Sequence, residues 1–164
     1  MATSIDRIEK RVILHAPLER VWRAISDYRE FGSWFGVRLD APFEPGAHVT
    51  GTLTPTTVDP QVAEAQKPHE GTPWAITIER IEPMRLLSFR WHPYAVDPDV
   101  DYASEPTTLV TFELVSAWDG TELTITESGF DTIPLARRAE AFSQNSRGWD
   151  AQASLIARYV AAPA

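Results

Sequence analysis

Residues 143–160 carry an amphipathic helical pattern whose apolar face the rest of the chain has to cover. Trp149, Ala153, Ile156 and Val160 recur at i, i+4, i+7 and i+11, which places them on one face of a helix. The sequence before this stretch is almost entirely strand-like. Because such a helix must bury its apolar stripe, the pattern predicts an α+β fold, in which a curved antiparallel sheet wraps around one long C-terminal helix.

The remaining elements are predicted from apolar periodicity and from turn residues. Alternation with period two indicates strands, and apolar residues three and four apart indicate helices. The dipeptide Asp119-Gly120 predicts a hairpin, because both residues tolerate a positive φ. Residues 130–142 should lead into the last helix with at most a short helical turn at 135–141. The predicted order is a strand at 5–14, short helices at 18–26 and 28–35, and strands at 48–53, 74–81, 86–91, 107–117 and 121–129, about six strands in all.

The 164 residues are expected to form a single domain, 1–164, with an insertion loop at about 55–73. This stretch is polar and rich in proline, and it has no periodicity beyond a short helical turn at 62–66. Loops of this length are uncommon and are usually functional or disordered. A mobile lid or surface decoration is the interpretation that this rule favours over an active segment.

Composition argues against several classes of function. The net charge of −8 repels phosphate backbones and anionic lipids, so nucleic acid is not an expected partner. No apolar run is long enough for a membrane span, and the N-terminus has no signal-peptide core, so a cytoplasmic location is expected. The chain has no cysteine, its four histidines lack metal-ligand spacing, and no cofactor motif occurs; neither a metal nor a cofactor is therefore predicted. A homodimer is compatible with the sequence, although no residue pattern indicates one.

Aromatic side chains on the predicted strand faces are the main candidates for a binding site. They could line a cavity between the sheet and the last helix, or they could simply fill the core. The polar groups that could project into such a cavity are His92, Tyr94, Glu127, Arg90 and Asn145, of which His92 and Glu127 are the preferred candidates. Glu127 shares its strand face with Leu123 and Ile125, yet a hydrated position at the strand end is favoured, because glutamate is seldom fully buried. The candidate cavity-lining residues are Trp34, Phe35, Trp74, Ile76, Ile78, Phe89, Trp91, Phe112, Ile125, Trp149 and Ala153.

Several motifs, in this order and spacing, resemble those of the START/Bet v 1-like (SRPBCC) superfamily, and within it the branch of homologues of the activator of heat-shock protein 90 ATPase (AHSA-type). The resemblance covers nearly the whole chain and implies a helix-grip fold with a cavity for a hydrophobic small molecule. It leaves three functions open, ranked in this order: ligand binding, catalysis of the polyketide cyclase or hydrolase kind, and interaction with a chaperone. The catalytic residues of the second remain unknown. The motifs are Ala16-Pro17-x-x-x-Val21-Trp22, Phe43-Glu-Pro-Gly46, Ile81-Glu-Pro-x-Arg-Leu86 into Phe89-x-Trp91, Gly120-Thr-x-Leu-Thr124 through Ser128-Gly129-Phe130, and Gly148-Trp149.

Overall fold

A seven-stranded antiparallel sheet forms the body of the computed structural model, which describes residues 7–95 and 99–161. The strands lie in the order β1-β7-β6-β5-β4-β3-β2, so the first strand is at one edge and the second is at the other. Every neighbouring pair is antiparallel. The strands are β1 (Arg7–Leu14), β2 (Val37–Leu39), β3 (His48–Leu53), β4 (Pro73–Glu82), β5 (Leu86–Trp91), β6 (Thr108–Ala117) and β7 (Gly120–Ser128).

Four α-helices complete the described part of the chain. The helices α1 (Leu18–Ser26) and α2 (Tyr28–Phe35) connect the two edge strands, α3 (Pro60–Gln66) lies between β3 and β4, and α4 (Leu135–Ala161) ends the described chain. The predicted boundary of the last helix is wrong, because α4 is one continuous helix of 27 residues, about 40 Å long. In its first eight residues only Ala141 is buried, so this part carries no apolar stripe that the sequence could reveal.

The α+β helix-grip prediction is confirmed, with one strand more than expected. The additional strand is β2, whose three residues pair with Gly51 to Leu53 of β3. Three residues are too few for an alternating pattern to be recognised. This strand therefore exists through its pairing and its contact with α2 rather than through a sequence signal of its own.

The β6–β7 hairpin is present where Asp119-Gly120 predicts it. Ala117 pairs with Gly120, which leaves Trp118 and Asp119 as the two loop residues. Gly120 has a φ of 143°, and a Cβ at this position would lie 2.0 Å from the carbonyl oxygen of Leu14. Only glycine allows both the backbone conformation and the close approach to β1.

The core lies between one face of the sheet and the stripe of α4. Trp149, Ala153, Ile156 and Val160 are all buried, as the helical pattern predicts. The opposing sheet face contributes large side chains from β5, β6 and β7. Rings from α2 continue this layer, since the centroid of Phe31 lies 6.1 Å from that of Phe112 on β6. The sheet residues of the core include Leu87, Phe89, Val110, Phe112, Leu114, Leu123 and Ile125.

The insertion between β3 and β4 is folded and is attached to α4. Asp59 caps α3, because its Oδ1 accepts from the backbone N–H of Gln61 at 2.8 Å and of Val62 at 3.4 Å. The same carboxylate forms an ion pair with Arg158 of α4. The Gln61 N–H has the largest effect on the pKa of Asp59; together with Val62 and Arg158 it lowers the pKa below its ordinary value, despite opposing desolvation.

Acidification should loosen this insertion before it unfolds the domain. Because the pKa of Asp59 is lowered in the folded state, its contribution to stability is present above the ordinary carboxyl pKa of about 4 and is lost as the pH falls through the lowered value. Amide exchange in α3, corrected for the intrinsic rate, should therefore accelerate between about pH 5 and pH 3. In Asp59→Asn, which keeps a capping side chain without a titrating charge, this acceleration should disappear. Unchanged pH dependence in that variant would contradict the assignment.

Candidate ligand-binding cavity

A cavity of about 570 Å³ opens between the ends of β3, β4 and β5 and the helix α4. Its size is within the range of small-molecule sites in proteins. None of the described residues that line it is a lysine, arginine, aspartate or glutamate. We call it the main cavity; it is lined by aromatic residues (Phe35, Trp74, Trp91, Tyr94, Tyr102), by polar residues (Thr50, Thr72, His69, His92, Asn145) and by Gly51, Leu53, Pro73, Ala75 and Ala95.

A smaller space of about 90 Å³ adjoins the main cavity on the side of α4. We call it the recess; it shares Phe35, Trp91 and Asn145 with the main cavity and is closed by Gly148, Trp149 and Gln152 of α4. Aromatic rings run along both spaces. The ring centroids of Trp91 and Trp149 are 5.6 Å apart, and those of Trp74 and Trp91 are 5.9 Å apart. The two spaces therefore share one aromatic wall.

Glu127 lies behind this wall and has no solvent exposure. Its carboxylate accepts hydrogen bonds from the indole N–H groups of Trp91 at 2.7 Å and Trp149 at 2.8 Å. The Thr108 hydroxyl donates at 2.5 Å and the Asn145 amide at 3.0 Å. A carboxylate offers about four acceptor positions, so these four donors fill it. The favoured sequence interpretation, a hydrated Glu127 at a strand end, is wrong, because the glutamate is buried and its charge is compensated by hydrogen bonds.

Strand register and helical spacing bring these donors together. Glu127 of β7 pairs with Val110 of β6, which places Thr108 diagonally across from it on the same face. Trp91 of β5 pairs with Thr108 and so continues the row. Asn145 and Trp149 are four residues apart on α4 and therefore lie on one face of the helix. Three strands and one helix thus meet at a single carboxylate.

The two amides of the recess have orientations that their partners determine. Asn145 Nδ2 donates to both oxygens of Glu127, and Gln152 Nε2 donates to the carbonyl oxygen of Phe35 at 3.0 Å. A carboxylate and a carbonyl oxygen can only accept, so the amide nitrogens must face these partners. Gln152 Oε1 is buried and has no hydrogen-bond partner within residues 7–95 and 99–161.

One histidine of the main cavity is also held in a defined orientation. His92 Nε2 lies 3.2 Å from the carbonyl oxygen of Glu105. Because a carbonyl oxygen only accepts, Nε2 must carry the shared proton, and in the neutral form of the ring Nδ1 is then the acceptor. Glu105 is itself fixed, since the guanidinium group of Arg137 donates to its carboxylate at 2.8 and 2.9 Å. These hydrogen bonds connect the segment that follows β5 to the beginning of α4.

Tyr94 borders the main cavity in a conformation that non-glycine residues seldom adopt. Its φ is 49°, in the left-handed region, which costs on the order of 1 kcal/mol. Arg137 Nη1 donates to the neighbouring carbonyl oxygens of Pro93 at 2.8 Å and Tyr94 at 3.3 Å and holds this backbone. Burial, followed by the nearby carboxylate of Glu140, raises the pKa of the Tyr94 phenol, so the side chain stays neutral at physiological pH.

The predicted site residues fall into two groups in the structure. Phe35, Trp74, Trp91, Trp149 and His92 border the main cavity, the recess or both. Of the other polar candidates, Tyr94 and Asn145 border the main cavity, whereas Arg90 is exposed and pairs with Glu79. Gln152 was not among the candidates, although its three-residue spacing from Trp149 on one helix was a usable signal. The other predicted residues are buried and line neither space, and these are Trp34, Ile76, Ile78, Phe89, Phe112, Ile125, Glu127 and Ala153.

The described ranges contain neither a candidate metal cluster nor a helix that could span a membrane. In residues 7–95 and 99–161, no cluster of three or more histidine, aspartate or glutamate side chains could hold a metal ion. Over the same residues, no helix has the length and apolar character that crossing a bilayer would require.

Comparisons with known proteins find solved structures that are similar to this fold. The crystal structure of DynU16, a protein in the dynemicin biosynthetic locus, is similar with a TM-score of 0.66 and 26% identity over 95% of this chain; the chain spans 47% of DynU16. A solution structure from Bordetella parapertussis (BPP1335) matches with a TM-score of 0.68 and 24% identity, covering 100% of this chain and 79% of that one. A solution structure from Arthrobacter aurescens matches with a TM-score of 0.72 and 15% identity, covering 99% and 91%.

A search of curated proteins gives no match to this chain at a significant level. A family model does match, and it covers residues 15–161, nearly the whole chain. The family is described as "Activator of Hsp90 ATPase homolog 1-like protein". The AHSA-type resemblance read from the motifs is thereby confirmed, and the chain belongs to the family of activator of Hsp90 ATPase homologue 1-like proteins.

Proposed function

We propose that this protein binds an uncharged, largely apolar small molecule in the main cavity and the recess. The observation that carries the proposal is a cavity of about 570 Å³ with an aromatic wall and no acidic or basic side chain other than histidine among its described lining residues. An ionic ligand would lose its hydration there without gaining an ion pair, whereas an apolar ligand would gain by leaving water.

The shape of the wall favours a flat ligand. Phe35, Trp74 and Trp91 present ring edges and faces to one space, with the centroids of Phe35 and Trp74 5.3 Å apart. Aromatic rings prefer offset or edge-to-face contacts with other rings. DynU16, to which this chain is similar, is a protein in the dynemicin biosynthetic locus, and this similarity is compatible with a flat natural product as the ligand.

Catalysis on the bound molecule is the second candidate function, and His92 is the observation that favours it. The Glu105 carbonyl fixes its tautomer, which leaves Nδ1 as an acceptor on a residue that lines the main cavity. A histidine oriented in this way is suited to act as a general base. Glu127 is less suited, because its acceptor positions are already filled. Interaction with a chaperone stays a prediction from the resemblance alone.

Native mass spectrometry of the purified protein, followed by denaturing extraction, tests the proposal. We expect a stoichiometric apolar molecule on the wild-type protein and on Trp118→Ala, whose fully exposed tryptophan lies in the β6–β7 loop. In Trp74→Ala, which removes an aromatic side chain of the main cavity, affinity should fall about 10-fold or more. Both variants replace a tryptophan with alanine, so a difference between them reports on the position in the cavity and not on the loss of a tryptophan in general.

Two outcomes of this experiment would contradict the proposal, and the extracted molecule also allows a test of catalysis. Equal occupancy in the Trp74→Ala and Trp118→Ala variants would contradict the cavity as the site. A wild-type protein that carries no molecule and does not take up a neutral probe such as N-phenyl-1-naphthylamine would contradict the binding function. If fresh wild-type protein converts the extracted molecule but the His92→Gln variant does not, the function is catalysis and not binding alone.

A further inference from the structure

A third space lies between α2, β2 and the segment that follows β3, and it shares no lining residue with the main cavity or the recess. It is a cleft of about 320 Å³, and we call it the arginine cleft. Its walls include Tyr28, Arg29 and Ser33 of α2, Arg38 and Leu39 of β2, and Thr57. None of its described lining residues is an aspartate or glutamate. In a chain of net charge −8, such a local excess of positive charge attracts an anion.

The two arginines of this cleft are exposed and uncommitted. Every lysine and arginine of the chain lies in the described ranges, and there all form an ion pair except Arg29, Arg38, Arg138 and Arg147. The guanidinium groups of Arg138 and Arg147 donate to nearby oxygen atoms instead. Residues 7–95 and 99–161 provide no hydrogen-bond acceptor for the guanidinium groups of Arg29 and Arg38. The two arginines that lack an acceptor in these ranges therefore line the same cleft.

The backbone of β2 adds a donor at the same edge of the sheet. β2 is an edge strand that pairs with β3 alone. The N–H of Asp40 donates to the carbonyl oxygen of Thr50 at 3.0 Å, so the preceding pair, Leu39 and Gly51, is a non-hydrogen-bonded pair of the ladder. The N–H of Leu39 consequently points away from β3, and Leu39 lines the cleft. Backbone N–H and guanidinium groups are the donors that proteins commonly use for phosphate.

We propose that the arginine cleft is a second binding site, which takes the phosphate group of a small molecule between Arg29 and Arg38. A phosphate dianion matches the charge of two guanidinium groups, each of which can donate two parallel hydrogen bonds to it. The guanidinium carbon of Arg29 lies 5.1 Å from the ring centroid of Tyr28, which also lines the cleft and holds the cation at this wall. The hydroxyl groups of Ser33 and Thr57, 2.6 Å apart, add polar groups to the wall.

The size and charge of the protein limit the ligand to a small anion. A net charge of −8 repels polyanions such as nucleic acid or an anionic membrane, which would have to approach a large part of the surface. A small phosphate compound approaches only the cleft, where the nearest charges are the two arginines. This site is independent of the proposed apolar ligand, because the two sites share no residue.

A titration followed by proton–nitrogen correlation NMR tests this inference with inorganic phosphate, phenyl phosphate and phenol as probes. We expect both phosphates to shift the Nε–Hε signals of Arg29 and Arg38 and the amide signal of Leu39 saturably, with a dissociation constant on the order of 1 mM or below at low salt. Phenol, which lacks the charge, should leave these signals unchanged. Tighter binding of phenyl phosphate than of inorganic phosphate would identify a phosphate ester as the ligand, and equal affinity would identify the free ion.

Matched variants assign the binding to the cleft. Arg29→Gln and Arg38→Gln each remove one charged donor from an exposed position, so both variants should fold and should bind phenyl phosphate about tenfold more weakly. Arg147→Gln removes an arginine that also lacks an ion pair in the described ranges but lies on α4, away from the cleft. It changes the net charge by the same amount and should alter the affinity by less than about twofold.

Two results would overturn this inference. One is the absence of any saturable shift with either phosphate. The other is an equal loss of affinity in Arg38→Gln and Arg147→Gln, which would mean that phosphate responds to the net charge and not to the cleft. All three variants should bind N-phenyl-1-naphthylamine as the wild-type protein does, so failure of the phosphate site and failure of the proposed apolar site are distinguishable.

Discussion

Replacing Glu127 with glutamine is expected to lower the free energy of unfolding by roughly 3 kcal/mol, although the two side chains are nearly the same size. Glutamine offers one acceptor oxygen and turns an NH₂ group toward donors. At least two of the four groups that now donate to Glu127 would be left buried without an acceptor. Removing the buried charge recovers some desolvation energy, but it does not restore those hydrogen bonds.

Chemical denaturation at constant m-value measures this loss, and Glu113→Gln is its control. Glu113 is an exposed residue of β6, so its substitution should change the free energy of unfolding by less than about 0.5 kcal/mol. Near-UV circular dichroism should also change in Glu127→Gln, because two indoles lose the partner that orients them. If the two variants have the same stability, the hydrogen-bonded carboxylate does not hold this part of the fold.

The same contacts define what Glu127 does for the cavity. Its oxygens are occupied by Trp91, Trp149, Asn145 and Thr108 and are closed to solvent, so a ligand bound in the recess as proposed would meet Trp91, Trp149 and Asn145 and not the carboxylate. Glu127 is therefore a positioning residue. It fixes two rings of the aromatic wall and, through Asn145, the orientation of an amide in the recess. In the proposed binding function, the shape of the aromatic wall thus depends on a charge that the ligand would not touch.

Much of the fold is predictable from the sequence, because in many elements the local residue pattern agrees with the burial of side chains in the folded structure. The strand β3 and the helices α1 and α2 have the predicted bounds, since alternation or helical spacing coincides with burial in each. The strand β5 also has its predicted bounds, although Leu86 to Phe89 are all buried. Agreement fails where the local residue pattern is weak or too short. The first turns of α4 and the three residues of β2 take their structure from neighbours in space, and no local pattern marks them.

The candidate site was less predictable, and Glu127 shows why. Its parity with Ile125 correctly places it on the inner face, but the general rarity of buried glutamate favoured a hydrated position. The counter-evidence was long-range: buried indole N–H groups need acceptors, and only the pairing of β5, β6 and β7 brings Trp91 and Thr108 to this glutamate. Sequence alone gives the inventory of donors and acceptors, while the register decides which of them meet.

Replacing Gly32 with alanine is the second change for which we expect a large loss of stability. In an isolated helix the substitution would stabilise by up to about 1 kcal/mol, because alanine has the higher helix propensity. In α2, however, a Cβ at residue 32 would lie 2.1 Å from the carbonyl oxygen of Val37. Backbone atoms cannot rotate away as a flexible side chain can, so either α2 or β2 must shift. We expect a loss of about 3 kcal/mol and faster amide exchange in β2.

Gly148→Ala is the matched control, because it places the same methyl group in the other glycine-containing helix. A Cβ there meets no atom within 4 Å, so the propensity term acts alone. We expect a gain of about 0.5–1 kcal/mol in the free energy of unfolding. Opposite signs for one substitution in two helices would show that the approach of β2, and not helix propensity, requires glycine at residue 32. A gain in both variants would contradict the close packing of α2 against β2, which also supports the Phe35 end of the main cavity.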